Sequence, residues 1–120
     1  MTRPMVLYVC GPMTGLPGLN FDAFFEADKK LRDAGYDVLN PADRAGRTEG
    51  KSWDWYLRRC IKDVVDADGI AFLPRWEFSR GARLERDLAT RLSMPSRSVD
   101  YWLAEAEDDP TNTTTEEPRP

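Results

Sequence analysis

An acidic residue on the apolar side of a predicted helix is the residue of this sequence best suited to chemistry. Over residues 79–92 apolar residues recur at helical spacing, and Ser79 occupies the position of an N-cap. Glu85 falls on this stripe, which consists of Gly81, Ala82, Leu84, Leu88, Ala89 and Leu92. Because an unpaired carboxylate is costly to bury, Glu85 is either a functional acid or a residue at the edge of the stripe that reaches water or an arginine.

The other side chains limit the chemistry that Glu85 can join. The chain contains no histidine, which removes Ser-His and Cys-His nucleophile systems and most zinc sites. Acid–base chemistry must then come from carboxylates, tyrosine, lysine or thiols. Cys10 and Cys60 fall in a predicted strand and a predicted helix, and without a secretion signal they are expected to be free thiols.

Short apolar runs alternate with helical patterns along the chain, and this order predicts a parallel sheet with helices on both faces. We expect strands over 5–10, 36–39, 70–73 and, at an edge, 98–102, and helices over 21–34, 53–67 and 79–92. In such sheets the ligand crevice lies beyond the carboxyl ends of the strands. Residues 10–18, 40–51 and 73–85 converge there, which strengthens the functional interpretation of Glu85.

Local signals mark where these elements begin and end. Asn20 is expected to cap the first helix, Gly35 to end it, and Ser52 to cap the second. The glycine-rich loop after the first strand has neither a dinucleotide nor a P-loop spacing, so it is a weak phosphate signal or a plain connection. Residues 42–51 are polar and are expected to form a mobile loop, either a lid or an ordinary surface loop.

Composition indicates one soluble domain. The chain has 120 residues, of which 32% are charged, and its net charge of -4 argues against a general nucleic-acid binder. No apolar run is long enough to span a bilayer and no signal peptide is evident, so a cytoplasmic location is expected. We expect a folded domain over 1–103 and an acidic, disordered tail over 104–120.

Several segments together carry a resemblance. They are Y-V-C-G-P-M-T-G from Tyr8 to Gly15, Asn40-Pro41, D-A-D-G-I from Asp66, L-P-R-W from Leu73, and S-R-G-A-R-L-E from Ser79 to Glu85. Over residues 5–95 the chain resembles a DUF4406-like family of small, mostly phage-borne proteins, which is similar to nucleoside 2-deoxyribosyltransferases and 2′-deoxynucleoside 5′-monophosphate N-glycosidases. The resemblance implies a three-layer α-β-α sandwich with a small parallel, Rossmann- or flavodoxin-like sheet.

The resemblance also implies glycosidic-bond chemistry at a deoxyribose, with no metal or other cofactor. The acid that matches Glu85 would be the nucleophile that forms a covalent sugar–enzyme intermediate, and Tyr8 would orient it. The loop that contains Gly11, Pro12, Met13 and Gly15 would close over the sugar. Ser79, Arg80 and Gly81 would bind the substrate. A serine at position 79, where related nucleoside transferases tend to carry an acid, favours a 5′-phosphate, although plain N-capping is an equal alternative.

One position departs from the family pattern. Where an aspartate is usual in the middle helix, this chain has Cys60, and a thiol is a poor replacement for a carboxylic acid. Asp63, one turn later, is the candidate substitute, and Asp66 or Asp68 are alternatives, but a solvated helix end is the favoured interpretation of each. The sequence thus supports either an N-glycosidase or deoxyribosyltransferase, or a weak or inactive nucleotide-binding module of the same fold.

The expected partner is a small deoxynucleotide, with no nucleic-acid polymer and no membrane. A homodimer or a higher homo-oligomer is also expected, because related enzymes assemble in this way. Trp53, Trp55, Tyr56 and Trp76 are more aromatic residues than one small core readily hides, and such residues favour interfaces.

Overall fold

The computed structural model describes residues 3–45 and 50–108, and within them four parallel strands form one sheet. The strands are β1 (Val6–Cys10), β2 (Asp37–Leu39), β3 (Gly69–Phe72) and β4 (Ser96–Ser98), in the order β2-β1-β3-β4. The helices are α1 (Phe21–Asp33), α2 (Pro41–Ala45), α3 (Trp53–Asp66), α4 (Arg80–Arg91) and α5 (Val99–Asp108). Helices pack on both sides of the sheet, which confirms the predicted three-layer α/β sandwich.

Alternation along the strands divides the core into two layers. Leu7 and Val9 of β1 face α1 and α5, whereas Tyr8 and Cys10 face α3 and α4. The parallel register pairs Tyr8 with Ile70 and Cys10 with Phe72, so β3 follows the same alternation. The side chains of Tyr8 and Cys10 are therefore directed to the layer that contains α4.

The predicted helix caps are confirmed at α3 and α4 but not at α1. The Ser52 hydroxyl accepts the Trp55 N–H at 3.1 Å, and the Ser79 hydroxyl accepts the Ala82 N–H at 3.1 Å. Asn20 holds the N-cap position of α1 with a φ of 62°, yet its side chain does not cap the helix. Its Nδ2 instead donates to the Pro12 carbonyl at 3.0 Å, which ties the loop after β1 to the start of α1.

The segment after β2 is partly helical, contrary to the predicted loop over 42–51. Pro41 opens α2, where its missing N–H is not needed, and the Asn40 side chain accepts the Ala42 N–H at 2.9 Å. The expectation of a loop is therefore wrong over 42–45. Residues 46–49, the centre of the proposed lid, lie outside the described residues.

The carboxyl-terminal boundary also differs from the prediction. The edge strand is β4 (Ser96–Ser98), and residues 99–102, expected to continue it, begin α5. Trp102 and Ala106 are buried, so the expectation that the tail starts at position 104 is wrong up to Asp108. Short-range patterns missed this helix because residues 98–102 fitted a short edge strand and the second half of α5, from Ala104 to Asp108, is mostly acidic. Residues 109–120 lie outside the described residues.

Neither described range contains a membrane-spanning helix, since every helix there falls short of the length and apolar character that a bilayer requires.

Replacement of Trp102 by Ala tests whether α5 belongs to the folded domain. The indole is 6% exposed and its Nε1 donates to the Ile70 carbonyl at 2.8 Å, so the variant leaves a cavity beside β3 and loses this hydrogen bond. We expect the free energy of unfolding in urea to fall by about 3–5 kcal/mol. Glu105→Ala, at an exposed position of the same helix, is the control and should change it by less than about 0.5 kcal/mol. If Trp102→Ala changes the free energy of unfolding as little as Glu105→Ala does, α5 does not stabilise the domain.

Candidate active site

Glu85 lies on the buried face of α4. That face consists of Ala82, Glu85 and Ala89, and Glu85 is only 6% exposed. The predicted apolar stripe is correct for Ala82 and Ala89 but wrong for Leu84 and Leu92, which are 47% and 49% exposed. The narrow buried face, with small residues on either side of the acid, leaves room for a carboxylate between α4 and the sheet.

Two side chains of β1 donate hydrogen bonds to this carboxylate. The Tyr8 hydroxyl donates to Oε2 at 2.7 Å, and the Cys10 thiol donates to Oε1 at 3.3 Å. Tyr8 and Cys10 are two residues apart in a strand, so they point to the same face and meet the same residue. The carboxylate is therefore buried and paired with two neutral donors, and not placed at the edge of the stripe beside an arginine.

Burial changes the ionisation of the whole group. It raises the pKa of Glu85 from 4.5 to about 7, although the hydrogen bonds from Tyr8 and Cys10 lower the pKa and oppose this shift. The negative charge of Asp63 adds a small further rise in the pKa of Glu85. Burial also raises the pKa of Tyr8 and of Cys10 well above their ordinary values, so both remain protonated donors at neutral pH.

Glu85 opens onto a cavity of about 720 Å³ at the carboxyl ends of β1 and β3. Most of the residues that the sequence assigned to a site lie on its wall: Tyr8, Gly11, Pro12, Met13, Ser79, Arg80, Gly81 and Glu85. Gly15 and Asp63 are not wall residues. The volume falls within the range of small-molecule sites.

Position 11 requires glycine because Leu73, at the end of β3, lies very close to the backbone there. A Cβ at this position would lie 2.8 Å from the Leu73 Cβ, and the Leu73 N–H donates to the Cys10 carbonyl at 2.8 Å. The loop after β1 can therefore turn against the end of β3 only without a side chain here. Gly15 has a φ of +85° and serves the turn of the loop rather than the cavity wall.

The start of α4 forms the outer part of the wall. Ser79 caps the helix, and Arg80 places its guanidinium carbon 4.7 Å from the centre of the Trp53 ring. A helix N-terminus, a hydroxyl and a guanidinium group together favour an anion. The N-cap role does not exclude ligand binding, because a hydroxyl that accepts one hydrogen bond can still donate another.

Cys60 and Asp63 differ in their access to the cavity. Cys60 lies on the cavity wall, and burial, followed by the negative charge of Glu85, raises its pKa to about 11. It is therefore a neutral thiol at physiological pH. Asp63 is 6% exposed on the same helix but does not line the cavity.

The cavity mouth contains residues that the sequence did not assign to a site. Leu19, Trp53 and Phe78 line it and are 46%, 43% and 77% exposed. Tyr56 and Lys51 also lie on the wall, and the Tyr56 hydroxyl donates to the Pro41 carbonyl at 3.2 Å. Trp53 and Tyr56 had been interpreted as residues of a helix face or an interface. Phe78 could have been assigned to the site from the sequence, because it directly precedes Ser79, the predicted N-cap and a predicted substrate-binding residue.

Within residues 3–45 and 50–108, no group of three or more histidine, cysteine, aspartate or glutamate side chains is placed to hold a metal ion. The chemistry that these residues can supply is that of a buried carboxylate with neutral donors around it.

The fold and this cavity define a three-layer α/β protein with a buried acid at the carboxyl ends of its parallel strands. The chain belongs to the DUF4406 family, described as a domain of unknown function, whose model matches residues 5–96. No curated protein and no solved structure matches the chain. The family match confirms the DUF4406 part of the sequence resemblance.

Replacement of Glu85 by Gln measures the cost of burying the charge. The pKa of Glu85 is 4.5 in the unfolded chain and about 7 in the folded chain. The free energy of unfolding of the wild-type protein therefore decreases as the pH rises between these values. Gln keeps the shape and an acceptor but never ionises. We expect the stability of Glu85→Gln relative to wild type to increase by up to about 3 kcal/mol between pH 4 and pH 8 in urea unfolding. A difference that does not change with pH would contradict a raised pKa at this position.

Proposed function

We propose that this protein cleaves the N-glycosidic bond of a 2′-deoxynucleoside 5′-monophosphate, by hydrolysis or by base exchange. The observation that carries the proposal is the buried Glu85 carboxylate, hydrogen-bonded by Tyr8 and open to a cavity of small-molecule size. The sequence resemblance to nucleoside 2-deoxyribosyltransferases and monophosphate N-glycosidases supports the same chemistry. A small anionic substrate also fits the helix N-terminus at one end of the cavity.

The reaction follows the two-step logic of retaining glycosidases. A Glu85 carboxylate oxygen attacks the anomeric carbon while the bond from that carbon to the base nitrogen breaks, and the electron pair leaves with the base, which takes up a proton. Water then attacks the same carbon and releases the carboxylate, one of its protons being lost to solvent or base. The net products are the free base and deoxyribose 5-phosphate. In base exchange a second base replaces water.

The surroundings of Glu85 suit a nucleophile. A carboxylate beside an oxocarbenium-like transition state stabilises its positive charge, and does so more strongly in a dry site. The neutral Tyr8 hydroxyl orients the carboxylate without neutralising it. With a pKa of about 7, a substantial fraction of Glu85 is ionised at neutral pH.

The outer end of the cavity would hold the 5′-phosphate. Ser79 uses a lone pair to cap α4 and retains its own hydrogen for a phosphate oxygen. Arg80, which lies over Trp53, adds positive charge on the same wall. Ser79 and Glu85 lie six residues apart, roughly 9 Å along the helix axis, and both line the same cavity, so one ligand could contact both.

The remaining predictions from the sequence are kept as parts of this proposal. The protein would act on small nucleotides in the cytoplasm, in the host cytoplasm if it is phage-encoded, without a cofactor and without binding nucleic acid or a membrane. A homo-oligomer stays a prediction. The exposed apolar residues at the cavity mouth, Leu19, Trp53 and Phe78, are the surface that a neighbouring subunit would best cover.

One observation favours a second function, a nucleotide-binding module without efficient chemistry. Cys60 occupies the wall where the family resemblance leads one to expect an acid, and with a pKa of about 11 it is a poor proton donor to a departing base. Asp63, the proposed substitute, does not line the cavity. Slow turnover with tight binding would support this alternative.

Turnover with and without the Glu85 carboxylate tests the proposed reaction. Wild-type protein incubated with a panel of deoxynucleoside monophosphates should release free base and deoxyribose 5-phosphate, measured by chromatography. Glu85→Ala and Glu85→Gln should lower kcat by at least about 10³-fold, because they remove the nucleophile. Asp87→Asn, an exposed carboxylate of the same helix that pairs with Arg91, is the matched control and should retain full activity.

Unchanged turnover in both Glu85 variants would refute the covalent mechanism. Calorimetry on the same nucleotides separates the two functions: binding without product by the wild-type protein favours the binding module.

Substitution of Ser79 tests which end group the cavity prefers. Ser79→Asp retains an N-cap but places a negative charge where the phosphate would lie, and Ser79→Asn retains the cap without charge. We expect Ser79→Asp to lower kcat/KM for the monophosphate by at least about tenfold, relative to Ser79→Asn, through like-charge repulsion. The value for the corresponding nucleoside should not fall. Equal losses for both substrates would contradict a phosphate site at Ser79.

A further inference from the structure

We infer that Cys10 is a positioning residue for the Glu85 nucleophile, whose carboxylate it holds from the side opposite the cavity. The inference rests on the proposed function, because it assigns Cys10 a role in that reaction. The sequence had identified Cys10 only as a free thiol in a strand.

The contacts of the thiol place it behind the carboxylate. Its Sγ lies 3.3 Å from Oε1 of Glu85 and 3.6 Å from the carbonyl oxygen of Ala82, one turn earlier in α4. Cys10 is fully buried, and it is not a wall residue of the cavity, whereas Tyr8 and Glu85 are. The thiol therefore contacts the acid and the backbone of its helix from the side of the sheet.

Two donors are needed to define the orientation of the carboxylate. The terminal torsion of a glutamate side chain is broad, so one hydrogen bond from Tyr8 to Oε2 leaves the plane of the carboxylate free to turn. A second donor at Oε1 fixes that plane. Attack on an anomeric carbon requires aligned orbitals at a short distance, so a fixed plane raises the rate more than it raises substrate affinity.

A weak donor at this position is compatible with a nucleophilic carboxylate. Sulfur is a weak hydrogen-bond donor, so Cys10 orients Oε1 while leaving the carboxylate basic enough to attack. The ionisable groups that face Glu85 are Tyr8 and Cys10 from β1 and Cys60 and Asp63 from α3. Among these, Tyr8 and Cys10 are the two whose hydrogen bonds stabilise the ionised acid.

The experiment compares Cys10→Ala, which removes the donor, with Cys10→Ser, which replaces it by a hydroxyl. We expect Cys10→Ala to lower kcat for a deoxynucleoside monophosphate by about tenfold or more while KM stays the same. Cys10→Ser should recover most of kcat. The Glu85 titration, followed by ¹³C NMR of labelled glutamate and assigned with Glu85→Gln, should move upward from about 7 in Cys10→Ala and not in Cys10→Ser.

Val9→Ala is the control for simple loss of packing, because Val9 is fully buried in β1 but faces the opposite layer. It should lower stability without changing kcat or the Glu85 titration. The inference is overturned if Cys10→Ala leaves the titration of Glu85 unchanged, or if Val9→Ala lowers kcat as much as Cys10→Ala does.

The titration also separates this inference from the proposed function. If the wild-type protein turns over no nucleotide, yet the Glu85 titration rises in Cys10→Ala and returns in Cys10→Ser, the positioning contact is supported and the proposed reaction fails.

Discussion

The Glu85 carboxylate is held in an apolar interior by two hydrogen bonds, from Tyr8 and Cys10. No lysine or arginine in the described ranges forms an ion pair with it. Neutral donors offset only part of the cost of removing the charge from water, and the pKa of about 7 expresses the remainder. An acid that lowers the stability of the fold in this way is typical of a group retained for function. The rest of the structure can be understood from what places this acid and its two donors.

The contacts of Tyr8 and Cys10 with Glu85 depend on the parallel sheet. The strand alternation directs Tyr8 and Cys10 to one face, and the crossover from β3 brings α4 across that face with Ala82, Glu85 and Ala89 inward. Small residues on both sides of Glu85 allow α4 to approach β1 closely. The same connection sets the N-terminus of α4 at the carboxyl ends of the strands, where open α/β sheets bind ligands. One geometric arrangement therefore produces both the buried acid and the anion-favouring end of the cavity.

In the proposed reaction, the choice between catalysis and simple binding depends on how the leaving base obtains a proton. Tyr8, Cys10 and Cys60 are all neutral near Glu85, and burial keeps each of them protonated well above neutral pH. Such groups orient and shield a carboxylate well but donate protons poorly. For the proposed reaction, a base that departs readily, or one protonated by water that enters at the exposed mouth, would suit this site better than one that needs a strong acid. In the proposed reaction, the thiol at position 60 would therefore affect the choice of substrate as well as the rate.

The sequence by itself determined the order of the four strands and of α1, α3 and α4, the parallel α/β class, the position of the crevice and the unusual placement of Glu85. These follow from short-range periodicity, from caps such as Ser52 and Ser79, and from the general geometry of parallel sheets. Only the tertiary structure decided that Cys10 donates to Glu85, that Asp63 does not line the cavity, and that Asn20 holds a loop instead of capping a helix. It also showed that the chain past position 104 continues a helix to Asp108. The physical reason is that these outcomes depend on contacts between residues distant in the chain, which local spacing does not encode.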